Sequence, residues 1–528
     1  MKRPNPVTIT ELIDQANDSF ASNIAIIDGD VRLDYQSLAE ACHMACRAFI
    51  EAGINKGDRA AIWAPNIYEW IIATIGLQLA GGVLVPINTR LKGSEAAYIL
   101  NASQAKILLT VSGFLSIDYL ELLAKQELPY LESTIFLRGE SSGGIAWEQF
   151  LTQGEAVASS DARIRSNAIQ AEDPLDILFT SGTTGRPKGV ISSHGQNLCC
   201  YMAWGERIGL LGDDKYLIIN PFYHSFGYKA GWLTCLLYGA AILPAITFDV
   251  AAVMKTIQEE KVSVMPGPPT IFETIISEPS RENYDISSLR LVTTGATTVP
   301  VRLVERIREE LGIEDVRTAY GLTESCGVVS VTRRNDPAKL VATTSGCPLP
   351  DVEIKCIDTS GNIVPIGEPG EILIRGYNVM SGYLDNPIAT GRAIDNEGWL
   401  HTEDLGVIDD NGYIQIMDRL NDMFIVGGFN CYPAEVEQKI AILSGVDQVA
   451  VVGAGDQRLG EVGHAFIVRE VESSLTEESV LSDCKEMLAN YKVPRYITFL
   501  EALPRNSLGK VMKNILADRS QKLLSAIQ

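Results

Sequence analysis

A chain of 528 residues, 46% of them hydrophobic, has material for two to four domains of roughly 100–200 residues each and excludes wholesale disorder. Its formal charge, 44 Lys and Arg against 66 Asp and Glu, is −22, which argues against nucleic acid or an anionic membrane as the main partner. An anionic ligand would have to be met locally, by a few placed Lys and Arg residues and by backbone N–H groups.

In chain order, residues 1–10 carry two basic residues and no apolar segment, so no signal peptide is expected there. The pattern over 38–52 predicts an amphipathic helix. Cys42, His43 and Cys46 could meet on one of its faces, where buried packing is the ordinary reading and a metal site the alternative. The ten cysteines form no CxxC pair, which leaves zinc ribbons and thioredoxin-like chemistry without support and fits a reducing cytoplasm. Short buried strands are expected at 60–64, 107–111, 177–180, 216–220 and 289–293. The apolar stretch 70–87 is interrupted by Gln78, Gly81, Gly82 and Pro86 and reads as a buried helix followed by a strand, not a membrane span. Further amphipathic helices are expected at 250–261 and 299–311. Such alternation predicts an α/β fold with mostly parallel sheets covered by helices. Beyond about residue 345, strand patterns at 352–358 and 370–376 separated by Gly, Pro and Asp turns suggest a small β-rich subdomain. After Asp418-Arg419 a compact α+β pattern follows: a helix near 433–443, strands near 446–452 and 463–468, and a helix near 476–489. Gly453-Ala454-Gly455 is not a dinucleotide fingerprint and reads as a turn. The expected organisation is a large N-terminal domain at 1–418, containing two α/β subdomains and the β-rich one, a boundary near 418–422 and a smaller α+β domain at 423–528.

Thr180-Ser181-Gly182-Thr183-Thr184-Gly185-Arg186-Pro187-Lys188-Gly189 follows one predicted strand. Its glycines allow a tight turn with exposed N–H groups, and its four hydroxyls and Lys188 can donate to phosphate oxygens. It is not a Walker A loop, since no Lys-Ser/Thr pair follows a glycine at the required spacing. The segment resembles the signature of the adenylate-forming superfamily, which holds acyl-CoA synthetases, peptide-synthetase adenylation domains and beetle luciferases. The resemblance continues in order from about residue 25 to 515.

Pro221-Phe222-Tyr223-His224-Ser225-Phe226-Gly227 looks like the family's aromatic motif, which places His224 beside the acyl carboxylate. The resemblance assigns the acyl pocket to His224, Phe226, Gly227, Tyr228, Gly231 and Gly295. Gly295-Ala296-Thr297 is similar to the loop that borders adenine, although Thr297-Thr298 departs from the usual small residue and proline. In Tyr320-Gly321-Leu322-Thr323-Glu324, Tyr320 offers a face for adenine, Thr323 a donor to the α-phosphate and Glu324 a hard oxygen ligand for Mg²⁺. Asp404 and Arg419 match ribose contacts, with Glu403 standing where the family usually has glycine. Asn421 falls at the hinge; Gly427, Gly428 and Phe429 match the pantetheine tunnel for coenzyme A; Lys510, in Pro504-Arg505-Asn506-Ser507-Leu508-Gly509-Lys510, matches the mobile catalytic lysine.

The resemblance implies a two-step ligase: a carboxylic acid and ATP give acyl-AMP and pyrophosphate, and coenzyme A then takes the acyl group. Thr184, His224, Glu324 and Lys510 are its expected catalytic residues. Gly227, Gly231 and Gly295-Ala296 are expected to leave room for a bulky acid. The stretch 221–250 is similar to bacterial ligases acting on the bicyclic indane-propanoate of steroid-ring degradation, so a bulky alicyclic or medium-chain acid is expected. No Asp at 221–228 is present to hold an amino group, and no carrier-domain Gly-Gly-(His/Asp)-Ser appears, against a peptide-synthetase module. A luciferase-like oxygenase would share every nucleotide motif, whereas a catalytically dead homologue would be expected to lose Glu324 or Lys510. A cytoplasmic location, no integral membrane contact and an open option of a homodimer complete the expectations.

Overall fold

The computed structural model describes residues 5–180, 187–295, 299–419, 422–426, 429–456, 458–471, 473–506 and 510–525. The chain divides into two compact units, one of residues 1–353 with 374–400, the other of 354–373 with 401–528.

Two large sheets organise the first unit. In one, nine strands run in the spatial order Cys347–Pro348, Ser330–Val331, Asp315–Tyr320, Leu291–Gly295, Val264–Pro266, Lys215–Ile218, Ala241–Pro244, Ile24–Asp28 and Val31–Asp34. Its interior pairings are parallel and its edge pairings antiparallel. In the other, eight strands run Gly382–Tyr383, Lys188–Ser193, Pro174–Thr180, Val83–Pro86, Arg59–Trp63, Ile107–Val111, Ser133–Arg138 and Ile145–Ala146. Parallel strands covered on both faces need uninterrupted apolar runs, and Ile107–Val111 is buried at every position.

The helices are fixed by their ends and by one apolar face. Asp34 caps Tyr35–Glu51 by accepting from the Ser37 N–H at 2.7 Å, and Asp249 caps Val250–Glu260 by accepting from Ala252 at 2.8 Å. Ser193 and Gln196 form a reciprocal capping box at the start of His194–Ile208. The stretch predicted as a buried helix and strand forms Tyr68–Leu79 and Val83–Pro86. Tyr68–Leu79 is buried nearly all round. It approaches Tyr35–Glu51 so closely that a Cβ on Gly76 would sit 2.4 Å from that of Ala45. Among the described residues no helix is long and apolar enough to cross a membrane.

In the second unit, Phe429–Cys431, Phe424–Val426, Gly460–Arg469 and Val446–Asp456 form a sheet in that order, with Tyr496–Leu500 pairing parallel to Gly460–Arg469. Pro433–Ala441 and Glu477–Met487 pack their apolar residues into its core through Val436, Ile440, Val480 and Cys484. The turn expected at 453–455 is not formed. Gly453 pairs with Gly463 and Ala454 with Val462 inside a continuous antiparallel ladder, so tertiary pairing overrides the local preference of two glycines. A four-stranded sheet of Glu353–Ile357, Gly370–Arg375, Leu400–Ile408 and Ile414–Arg419 accounts for the β-rich texture beyond residue 345.

Nine of the ten cysteines are buried and Cys199 is exposed. Burial raises the thiol pKa at Cys42 and pushes Cys46 up to about 12, so both stay protonated inside Tyr35–Glu51. His194 is 1% exposed, its Nδ1 accepting from the Ile9 N–H at 3.2 Å. Burial holds its imidazole down to about 4 from 6.5. The unfolded chain therefore binds the proton first on acidification, and this group's contribution is complete above about pH 6.5 and lost as pH falls toward 4. Urea denaturation of the wild type and of His194→Asn at several pH values should show their stability difference shrinking by up to about 3 kcal/mol over that window. A difference independent of pH would contradict the assignment.

Candidate active site

Four parallel neighbours, Lys215–Ile218, Val264–Pro266, Leu291–Gly295 and Asp315–Tyr320, end on one edge of the nine-stranded sheet. Ligands of open α/β sheets bind beyond the carboxyl ends of such strands. Of the segments singled out in the sequence, 219–227 and 321–325 leave this edge after the first and fourth strands, and 296–298 follow the third in the chain but lie outside the described residues.

The segment around His224 is pinned from outside. Asn66, buried between a strand and a helix, donates from Nδ2 to the carbonyls of Ile218 (3.2 Å) and Asn220 (2.9 Å) and accepts from the Phe222 N–H at 2.8 Å. His224 is half-buried and caps the short turn Ser225–Gly227, its Nδ1 accepting from Phe226 at 3.2 Å. Desolvation, aided by the nearby Lys229 charge, lowers its pKa to about 4, so the imidazole is neutral at pH 7. A Cβ on Gly227 would lie 2.2 Å from the Asn220 carbonyl oxygen, so this glycine is required by backbone contact. Phe226 is half-buried. Tyr228 and Gly231 lie on a π-helical turn, Tyr228–Leu233, with Tyr228 fully buried, stacked on Trp232 at 4.8 Å and bonded to Gln78 at 3.0 Å. Wide turns of this type recur at functional sites.

Under this segment lies an ion pair that sequence reasoning missed. Lys229 Nζ donates to Asp176 Oδ1 (3.0 Å) and to Ser192 Oγ (2.9 Å), with the two charged side chains 2% and 0% exposed. Asp176 and Ser192 are register partners on the strands Pro174–Thr180 and Lys188–Ser193. A lone cation inside the apolar run 228–238 was the available signal, since a buried charge requires a partner.

Those two strands also flank the segment singled out in the sequence for phosphate handling. Thr180 pairs with Lys188 where the two strands meet the segment between them. Ser181, Gly182, Thr183 and Thr184 lie outside the described residues, as do Ala296 and Thr297. Gly295 ends its strand opposite Ala319. Tyr320, half-buried, ends the next strand, and Gly321 folds so tightly that a Cβ would be 2.3 Å from the Gly327 carbonyl oxygen. Thr323 and Glu324 stand on the single turn Thr323–Ser325. Glu324 Oε1 accepts from the Tyr383 hydroxyl at 2.9 Å, and Lys188 Nζ lies 4.8 Å from the centre of the same ring. Tyr383 thus joins two residues that the sequence separates by 136 positions, Lys188 and Glu324, and no sequence signal pointed to it. A cavity of about 420 Å³ lined by Ile13, Asp14, Asp18, Glu40 and His43 contains none of these motif residues, and its acidic rim is unsuited to a nucleotide.

In the second unit, Asp404 is buried and pairs in register with Arg419, whose side chain lies outside the description. Glu403, in the position the family usually gives to glycine, adopts a left-handed backbone with φ of 57°. Its N–H donates to Glu371 Oε1 at 3.2 Å, and Thr402 donates to the Ile372 carbonyl at 2.7 Å, which offsets the strain. Asn506 and Lys510 are joined by reciprocal bonds: Asn506 N–H to the Lys510 carbonyl (2.8 Å) and Lys510 N–H to Asn506 Oδ1 (2.9 Å). The Lys510 side chain is exposed. Asn421, Gly427 and Gly428 lie outside the described residues; Phe429 begins a described strand, but its side chain does not belong to the description.

Two stability measurements check these assignments. Lys229→Met strands Asp176 in the core and should cost about 3–5 kcal/mol, while adding Asp176→Leu should recover most of it. Equal losses for the single and double variants in chemical denaturation would refute the pair's role. Glu403→Gly should stabilise the chain by about 1 kcal/mol by relieving the left-handed strain while keeping the N–H that bonds Glu371, and a lowered thermal midpoint would show that glycine's greater freedom in the unfolded chain outweighs that strain.

Comparison with known proteins agrees with this geometry. The AMP-binding enzyme family matches residues 13–384, and the AMP-binding enzyme C-terminal domain matches 435–510. The 3-[(3aS,4S,7aS)-7a-methyl-1,5-dioxo-octahydro-1H-inden-4-yl]propanoyl:CoA ligase of Rhodococcus jostii (strain RHA1) is 45% identical over 98% of this chain and 99% of its own. The protein of the same name from Mycobacterium tuberculosis (strain ATCC 25618 / H37Rv) is 44% identical over 97% and 98%. Among solved structures, the anthranilate CoA ligase AuaEII in complex with anthranoyl-AMP superposes with a TM-score of 0.85 at 25% identity, covering 99% of each chain. The α/β architecture, the order of the motifs and these relatives agree: the chain belongs to the AMP-binding enzymes of the adenylate-forming superfamily and is an AMP-forming acyl-CoA ligase.

Proposed function

We propose that this ligase activates a bulky alicyclic acid of the indane-propanoate type. The observation that carries the reading is 45% identity, over 98% of the chain, to a ligase named for that acid. The aromatic segment at 221–233, with its π-helical turn, is the part of the chain that would meet the ring system.

Adenylation needs little acid–base chemistry, because a carboxylate oxygen attacks the α-phosphorus while the bond to the pyrophosphate oxygen breaks. Positioning and charge neutralisation carry the rate. Neutral His224 lies beside the acid without adding a charge that would trap it. Thr180, Ser181, Thr183, Thr184 and Lys188 donate to phosphate oxygens, Thr323 to the α-phosphate, and Tyr320 stacks on adenine. Asp404 and Arg419 bind the ribose. Among the described residues no group of three His, Cys, Asp or Glu side chains could cage a metal. Mg²⁺ shared with phosphates needs only one or two protein carboxylates, and Glu324 has one oxygen held by Tyr383 and none on its second among the described residues, so the chemistry fits. Bound there, Mg²⁺ would offset phosphate charge. Lys510 supplies a further positive charge to the transferred oxygen.

In the second step the coenzyme A sulfur bonds to the acyl carbon, the thiol proton leaves to solvent and AMP departs with its oxygen. We assign the hinge to 419–422, with Asn421 at its centre. Rotation there withdraws Lys510 and brings up Gly427, Gly428 and Phe429 along the pantetheine path. The cysteine usage and the acidic balance support a cytoplasmic setting.

A panel of acids in a pyrophosphate-release assay, with and without coenzyme A and with product mass determined, tests the substrate. Turnover of linear medium-chain acids without turnover of ring acids would overturn the assignment. Lys510→Ala should raise the adenylation barrier by about 3–4 kcal/mol and leave conversion of supplied acyl-adenylate to thioester far less affected. Equal losses in both half-reactions would refute its step-specific role.

A further inference from the structure

We propose that Tyr383 is a positioning residue for the magnesium–nucleotide, setting the places of both Glu324 and Lys188 from one side chain. The inference rests on the reading of Glu324 as a cation ligand. Tyr383 sits on the two-residue strand Gly382–Tyr383 and pairs antiparallel with Val190, two residues beyond Lys188. Its own N–H donates to Thr390 Oγ1 at 2.9 Å, and the Leu384 N–H donates to the Gly189 carbonyl at 2.7 Å, so the backbone on both sides of the ring is held. The phenol then donates to Glu324 Oε1 at 2.9 Å, while Met380 N–H holds the Glu324 carbonyl, also at 2.9 Å. The ring presents its negative face to the Lys188 ammonium, 4.8 Å from the centroid.

Physically this solves a problem that the two charged residues cannot solve alone. Glu324 and Lys188 have opposite charges in one neighbourhood, and a direct ion pair would consume the groups that must face the cation and the phosphates. An aromatic alcohol between them satisfies each in a different way: the hydroxyl takes one carboxylate oxygen and leaves the other to a cation, and the π face steadies the ammonium without occupying its N–H donors. The carboxylate is thereby pre-oriented, and less rotamer freedom is lost when the metal–nucleotide arrives.

Two variants separate the functions. Tyr383→Phe keeps the ring and removes the hydroxyl; Tyr383→Leu removes both. Binding is read directly, without turnover, as Mn²⁺ affinity by electron paramagnetic resonance in the presence of a non-hydrolysable ATP analogue, alongside the affinity for that analogue at saturating Mn²⁺. Tyr383→Phe should weaken Mn²⁺ binding by about 10-fold, as loss of one charge-assisted hydrogen bond predicts, with analogue affinity changed by less than about 3-fold. Tyr383→Leu should also weaken analogue binding, by about 3- to 10-fold. The magnesium dependence of pyrophosphate exchange should shift in parallel with the Mn²⁺ affinity. Glu324→Gln is measured beside them. If it weakens Mn²⁺ binding and Tyr383→Phe does not, the inference about Tyr383 is overturned and the reading of Glu324 stands. If Glu324→Gln leaves Mn²⁺ binding intact, the reading of Glu324 fails and the inference with it. A Tyr383→Phe chain that loses thermal stability with unchanged Mn²⁺ affinity would assign the tyrosine a purely structural role and overturn the proposal.

Discussion

Burying Lys229 against Asp176 is costly, because each side chain gives up its water and only geometry can repay it. The pair has that geometry: Ser192 bonds to both partners, at 2.9 Å and 2.6 Å, and Asn197 donates to Ser192 at 3.0 Å. The consequence is architectural. Asp176 and Ser192 belong to the antiparallel strands Pro174–Thr180 and Lys188–Ser193, and Lys229 belongs to the π-helical turn beside His224. One ionic contact thus ties that pair of strands to the turn beside His224, and a shift of either element would leave a charge without its partner in the core.

Around this tie the parallel sheet does the rest. Four neighbouring strands deliver their ends to a common edge, and side chains from elsewhere in the chain fix what emerges. Asn66 holds three backbone groups of 218–222, and Tyr201 donates to the Cys326 carbonyl at 2.7 Å, seating the turn that carries Glu324.

Much of the fold was legible because burial imposes simple patterns. The run 107–111 forms a strand with those same bounds, and the interrupted apolar stretch at 70–87 becomes a fully buried helix and a strand. The turn expected at 453–455 failed because small residues tolerate an extended backbone whenever a partner strand supplies hydrogen bonds, and Gly460–Arg469 supplies them. Glu403 illustrates a different limit: its sequence departs from glycine, yet the backbone keeps the left-handed form that glycine would favour, held by Glu371 and Thr402. Of the candidate site, the motif residues were singled out through resemblance, whereas Tyr383, Asn66 and Asp176 were not. Each acts by where the tertiary fold puts it, and nothing in its local sequence distinguishes it from an ordinary polar or aromatic residue.

The state of the chain's own sulfur atoms bears on the fidelity of the product. The enzyme makes two acyl electrophiles in succession, an anhydride and a thioester, and any thiolate of its own could intercept them. All ten cysteines have raised pKa values, with burial as the leading cause at each. Protonated and mostly enclosed, they are poor nucleophiles, so self-acylation is suppressed and a diffusible thiol is the one that carries the acyl group away.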